Sequence, residues 1–157
     1  IGLNSAMRHG EILRMRFDEI DFQHNRIYVP IAKAGQREQP ITPSLAAMLR
    51  REREQREDQD GYLFPPTRKG CKYPYRTAMR IQFQRAVKRA GLDQQKVTPH
   101  VMRHTAITSL VQAGVDLPTV KRISGHKTLA MVERYAHQNG AHIESAMDKL
   151  QDRLKLA

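Results

Sequence analysis

The 157-residue sequence has no tryptophan and a single cysteine, Cys71. One cysteine excludes an internal disulfide framework and any multi-cysteine zinc site, and it suits a reducing compartment. No apolar run approaches the roughly 18 residues that cross a bilayer, which speaks against a membrane protein. The opening Ile1-Gly2-Leu3-Asn4 is not followed by the basic and apolar regions of a secretory signal. Acidic residues are also scarce. Asp plus Glu number 16 against 27 Lys plus Arg, for a net charge of +11. A surplus of that size predicts a polyanionic partner, nucleic acid ahead of an anionic membrane surface. Hydrophobic residues make up 39%, which is lean but enough at this length for one compact domain.

Metal-binding patterns are missing as well. There is no HExxH, no Asp/Glu cluster and no cysteine pair. His100 and His104 lie four apart on a predicted helix, but no acidic third ligand is near them. No metal and no cofactor is therefore expected.

The chain is read as one domain over 1–157, cut from a longer protein, because a predicted helix is already under way by Ser5. That helix covers 5–16, with Met7, Ile12 and Leu13 on its apolar side. Alternation at Ile20 and Phe22, then Ile27-Tyr28-Val29, then Gln39-Pro40-Ile41 predicts a small three-stranded antiparallel sheet. Lys33-Ala34-Gly35-Gln36 between the last two is turn chemistry. Thr42 and Pro43 supply the cap and first position of the next helix. It runs through Leu45, Met48 and Leu49 into the mixed charges of 50–57, a solvated face with opposite-sign pairs. Residues 58–75 hold five Gly and Pro residues and predict a loop. Helices follow at 76–90, 99–113, 117–124 and 128–136, the last two broken at Gly125. A tail helix over 141–157 carries Ile143, Met147, Leu150 and Leu154 on one stripe. The fold class expected is α+β, mostly helical, with the small sheet near the start.

Four segments, taken in order, carry chemistry. They are Ala6-Met7-Arg8-His9-Gly10-Glu11, the hairpin Lys33, His100-Val101-Met102-Arg103-His104, and Ser124-Gly125-His126 with Tyr135 nine residues on. Arg, Lys, His-x-x-Arg, Gly-His and Tyr in that order resemble the catalytic domain of the tyrosine recombinases, the phage-integrase family. The resemblance covers nearly the whole chain.

The chemistry it implies is a metal-free phosphoryl transfer. Tyr135 attacks a DNA phosphate and forms a 3′-phosphotyrosyl bond, releasing a 5′-hydroxyl. Arg8 and Arg103 stabilise the non-bridging oxygens. Lys33 protonates the leaving oxygen, His100 helps to accept the tyrosine proton, and His126 donates a hydrogen bond to the phosphate. Glu11 supports Arg8, and His104 packs behind the site. The implied partner is double-stranded DNA at attachment sites, within a bacterial cytoplasm at the nucleoid. The full-length protein is expected as a tetramer on DNA, with DNA-bending accessory proteins, and this fragment as a monomer without its core-binding domain. Ala6 stands where the family usually has Gly, and Ser124 where Leu is common.

The residues agree with this on physical grounds. His-x-x-Arg at i, i+3 sets two side chains on one helix face. Guanidinium forks match phosphate oxygens. A free tyrosine phenol is a weak nucleophile at neutral pH and needs such neighbours. Taken singly, each residue has a structural explanation: Arg8 an ion pair with Glu11, Tyr135 a packed aromatic, His126 a cap or core histidine, Lys33 a soluble hairpin edge. Gly125 and Gly140 flank the Tyr135 helix and predict that it moves in the free protein. The alternatives are a type IB topoisomerase-like nicking and closing activity, a DNA-binding remnant without catalysis, and a metal-dependent nuclease using His100 and His104.

Overall fold

The structure, a computed structural model, describes residues 1–30, 35–136, 147–148 and 150–154. Lys33 and the start of the tail, with Ile143, lie outside these residues.

The single helix expected over 5–16 is two short ones, α1 (Gly2–Ser5) and α2 (His9–Leu13). Between them Ala6 is left-handed (φ 53°) and Arg8 is extended. The break has a packing cause. Ala6 belongs to one apolar core and its neighbour Met7 to another. On a continuous helix the two side chains would stand only about 100° apart. A left-handed alanine costs about 1 kcal/mol, and the Arg8 backbone N–H offsets part of it by donating to the Glu11 carboxylate at 3.0 Å.

A 3-10 turn at Phe17–Glu19 leads into β1 (Ile20–Asp21), β2 (Arg26–Val29) and β3 (Arg37–Pro40). They pair antiparallel in the order β1-β2-β3, with Ile27 opposite Gln39. Ile27 and Val29 face the first core with Met7, Met15, Phe17 and Ile41. α3 (Pro43–Glu54) begins where expected, the Thr42 hydroxyl accepting from the Leu45 N–H. It closes this core with Leu45 and Leu49, while Met48 is exposed. Its charged end does form pairs: Arg56 with Glu52, and Arg53 with Asp60.

The next helix, α4 (Arg80–Arg89), starts four residues later than expected. Arg76 is held instead by the preceding loop, its backbone N–H donating to the Phe64 carbonyl at 2.8 Å and its Nε to the Pro65 carbonyl. α5 (Pro99–Gln112), α6 (Leu117–Ser124) and α7 (Ala130–Glu133) follow. Asp116 caps α6 by accepting from the Thr119 N–H. α7 is shorter than the expected 128–136, yet Val132 and Tyr135 both reach the second core with Ala6, Ala106, Ile107, Val111 and Val120. In the tail, 147–148 and 150–154 are helical, and Met147, Leu150 and Leu154 are exposed. Among the described residues no helix is long and apolar enough to cross a membrane.

Segment 5–8 therefore runs along the seam between a sheet-and-α3 unit and a helical unit. That seam is where the chemistry-bearing residues meet.

Candidate active site

Arg8 leaves the seam at the start of α2 and Arg103 reaches it from the buried face of α5. Arg103 is 3% exposed. Its Nη1 donates to the Ala6 carbonyl at 2.7 Å, and its Nη2 lies 3.2 Å from His126 Nε2. The left-handed turn at Ala6 thus aims a carbonyl at the second arginine. Arg8 Nη2 donates to the Gly125 carbonyl at 2.9 Å and Nη1 to Glu11 at 3.2 Å.

Gly125 ends α6 at φ 63°, and a Cβ there would sit 2.9 Å from Arg37 Cζ. Only glycine meets both constraints. The turn carries His126 back into the seam, where its Nδ1 lies 2.7 Å from the buried Ser124 Oγ.

Glu11 is the carboxylate of the cluster. It accepts from the Arg8 backbone and side chain, and from Arg37 through both guanidinium nitrogens at 3.1 and 2.8 Å. Burial alone would raise its pKa. The Arg37 hydrogen bonds, the Arg8 backbone N–H and the two cationic charges outweigh that and hold it below the usual carboxylate range. Arg37 was missed in the sequence, as was Gln39. Gln39 is 0% exposed, donates to the Ser5 carbonyl at 2.8 Å and accepts from Arg37. The only available signal was a glutamine on the inward face of a strand, opposite Ile27.

Tyr135 is 5% exposed and its hydroxyl lies 2.7 Å from His104 Nδ1. Its ring is 6.5 Å from that of His126. Two expectations change. His104, read as packing behind the site, is in direct contact with the Tyr135 hydroxyl. His100 is exposed and sets its ring edge-on against His104, centroids 4.4 Å apart. In this structure the Tyr135 ring packs into the second core.

Burial, then the charge of Arg8, brings Arg103 down to about 10, which leaves it cationic at neutral pH. Burial, then Arg103, Arg8 and Arg134, lowers His126 to about 4. His104 is lowered in the same direction by burial, His100 and the nearby arginines. Both imidazoles are neutral at pH 7. An unfolded chain takes up these protons near pH 6.5. Between there and about 4 the unfolded state binds more protons, so stability falls as the pH is lowered through that window. Thermal melts from pH 7 to pH 4 are expected to show a loss on the order of 1–2 kcal/mol from His126, after solvent screening. In His126→Gln that part of the slope disappears. An unchanged slope would contradict the burial of a neutral ring.

The site thus sets Arg8, Arg37 and Arg103 around one carboxylate, beside a buried tyrosine on a neutral histidine. An open groove between β3 and α6, lined by Arg26, Arg37, Lys121, Arg122 and His126, leads to it. Among the described residues no group of three His, Cys, Asp or Glu could hold a metal. The arrangement suits a phosphodiester and a tyrosine nucleophile.

The comparisons with known proteins point the same way. Residues 1–142 match the phage integrase family. Tyrosine recombinase XerA of Pyrococcus furiosus is 26% identical over 148 residues, 92% of this chain and 50% of that protein. Tyrosine recombinase XerC of Chlamydia caviae is 31% identical over 138 residues, 85% of this chain and 44% of that protein. The Tn1549 transposon integrase, solved with circular intermediate DNA, shares the fold at TM-score 0.76 and 24% identity, over 95% of this chain and 57% of its own. The α+β architecture is that of a tyrosine-recombinase catalytic domain. The chain belongs to the phage integrase family. It spans about half the length of the curated relatives it matches.

Proposed function

We propose that this chain performs the strand cleavage and rejoining of a site-specific DNA recombinase acting on double-stranded attachment sites. The observation that carries this reading is the buried Tyr135 hydroxyl on His104, in one cluster with Arg103, His126 and Arg8.

In the proposed reaction Tyr135 Oη attacks the phosphorus, a Tyr–O–P bond forms to the 3′ side, and the P–O5′ bond breaks. The phenol proton passes to His104 Nδ1, with His100 behind it. Arg8 and Arg103 take the charge on the non-bridging oxygens, a task worth about 10²–10³ in rate per donor in comparable sites. Lys33, on the β2–β3 connection, delivers a proton to the leaving 5′-oxygen. A second 5′-hydroxyl then reverses the step, and the phosphotyrosine keeps the bond energy without nucleotide hydrolysis. Glu11 holds Arg8 and Arg37 in place. The catalytic set is therefore Arg8, Lys33, His100, Arg103, His126 and Tyr135, with His104 moved to the first contact of the nucleophile. Assembly as a tetramer on DNA in the longer protein, accessory DNA-bending factors and a cytoplasmic setting belong to the same proposal.

The test is a duplex nicked near the scissile phosphate, incubated with the protein in EDTA and run on a denaturing gel. A covalent protein–DNA band supports the reading. Cleavage that needs a divalent cation and leaves no band supports the nuclease instead.

Charge outside the pocket supports DNA as the partner. From Gly61 to Leu92 the sequence has no acidic residue, and Arg68, Lys69, Lys72, Arg80, Arg85 and Lys88 are all exposed. The triple variant Arg68→Ala/Lys69→Ala/Lys72→Ala is expected to bind duplex DNA more weakly. Its log Kd against log salt should flatten by about 0.9 for each phosphate that the protein no longer neutralises. Fluorescence anisotropy across a salt series checks it, and an unchanged slope would take this loop out of the DNA interface.

A further inference from the structure

The turn that ends α6 holds a side chain the reaction does not use. Ser124 is fully buried, and its Oγ lies 2.7 Å from His126 Nδ1 and 3.3 Å from the Lys121 carbonyl. A serine hydroxyl has one proton: given to the Lys121 carbonyl it leaves the oxygen to accept from His126 Nδ1–H, and given to Nδ1 it needs that nitrogen bare. The other side of the ring decides between the two. His126 Nε2 faces Arg103 Nη2, and a guanidinium nitrogen can only donate. The chain of donors therefore runs from Arg103 through His126 and Ser124 to the backbone of α6, with every role fixed.

We propose that Ser124 is a positioning residue that fixes the tautomer of His126: with Nδ1–H held on Ser124 Oγ, the ring offers Nε2 as an acceptor and holds the Arg103 guanidinium before DNA arrives. This rests on the proposed function and deepens it. It also revises the role expected of His126. In the resting site the ring accepts from an arginine, and it has no Nε2 hydrogen to give to a phosphate. The cations around it explain why it stays neutral. Arg103 and His104 face it from α5, Arg8 from the seam and Arg134 from beyond α7, while Arg37 of β3 lies over Gly125. A phosphodiester that takes the Nη2 hydrogen from His126 frees Nε2 and adds negative charge beside it. The ring then gains a proton from solvent and becomes a donor, still anchored through Nδ1.

Long-range proton–nitrogen NMR spectra of the histidines, with His126 assigned by its Gln variant, read the tautomer directly at pH 7. The parent protein without DNA is expected to show a protonated Nδ1 and a bare Nε2. Ser124→Ala is expected to show a mixture of tautomers, and Ser124→Thr to restore the single one. In single-turnover formation of the covalent adduct, Ser124→Ala should be about tenfold slower, the worth of one hydrogen bond. Its DNA affinity should stay unchanged, and Ser124→Thr should recover most of the rate. An Nε2–H or doubly protonated ring in the parent, or an unaltered tautomer in Ser124→Ala, would overturn the proposal. If no adduct forms with any DNA, the proposed function fails, while the spectra still decide the role of Ser124.

Discussion

Tyr135→Phe is expected to fold with nearly the stability of the parent and to form no covalent DNA adduct. The two halves of that expectation have separate causes. The ring fills the second core beside Val132 and Ala106, and phenylalanine keeps that volume. What is lost is one hydrogen bond to His104 at 2.7 Å, worth about 1 kcal/mol. The reaction, in contrast, loses the phenol oxygen that the proposed mechanism bonds to phosphorus, and His126 stays held by Arg103 and Ser124. Urea denaturation and adduct formation measured on the same preparation separate the two. A stable variant that still forms adduct would place the nucleophile elsewhere.

Glu11→Ala is expected to cost about 3–5 kcal/mol, the effect of removing one partner of a buried ion pair. The carboxylate is 7% exposed and accepts from four N–H groups of Arg8 and Arg37. Its removal leaves both guanidinium groups close to Arg103 with no compensating charge. Glu11→Gln keeps the volume and one good acceptor, and should cost less. Because folding depresses the Glu11 pKa, its contribution is present at neutral pH. It is lost as the pH falls through the depressed value, below the usual carboxylate range. A further sign identifies the cause. Sulfate, which can stand where a phosphate would, should recover part of the loss in Glu11→Ala and have less effect on the parent. Chemical denaturation at pH 7 with and without sulfate is the measurement. A loss below about 1 kcal/mol would mean that the arginines are not balanced through Glu11.

Much of this site was legible because its residues sit in short ordered motifs. Arg8, Arg103, His126 and Tyr135, which the family resemblance singles out, lie in one cluster, with Arg103 on His126, Arg8 on the Gly125 carbonyl and the Tyr135 ring 6.5 Å from that of His126, and Thr42, Pro43, Pro99 and Gly125 mark element ends by local chemistry. What was not legible depends on contacts across the seam. The break at Ala6 arises because adjacent side chains enter different cores, and no local propensity encodes that. Arg37 and Gln39 sit in a strand whose sequence, Arg-Glu-Gln-Pro, reads as a polar edge. Their roles emerge only when Glu11 and the Ser5 carbonyl come to meet them. The exchange between His100 and His104 is of the same kind. Both lie on α5, four residues apart, and only the position of Tyr135 decides which touches the phenol. Lys33 falls outside the described residues, and its part in the reaction rests on the family pattern.

The central claim is that DNA is cut by transfer to one particular phenol. Its most direct measurement is the mass of the trapped linkage. The adduct formed on nicked duplex in EDTA is digested with nuclease and protease, and the peptide bearing the nucleotide is sequenced. The expected product is a 3′-nucleotide joined through phosphate to Tyr135, with a free 5′-hydroxyl on the departing strand. A nucleotide on any other residue, or cut DNA ends with no peptide attached, would contradict it.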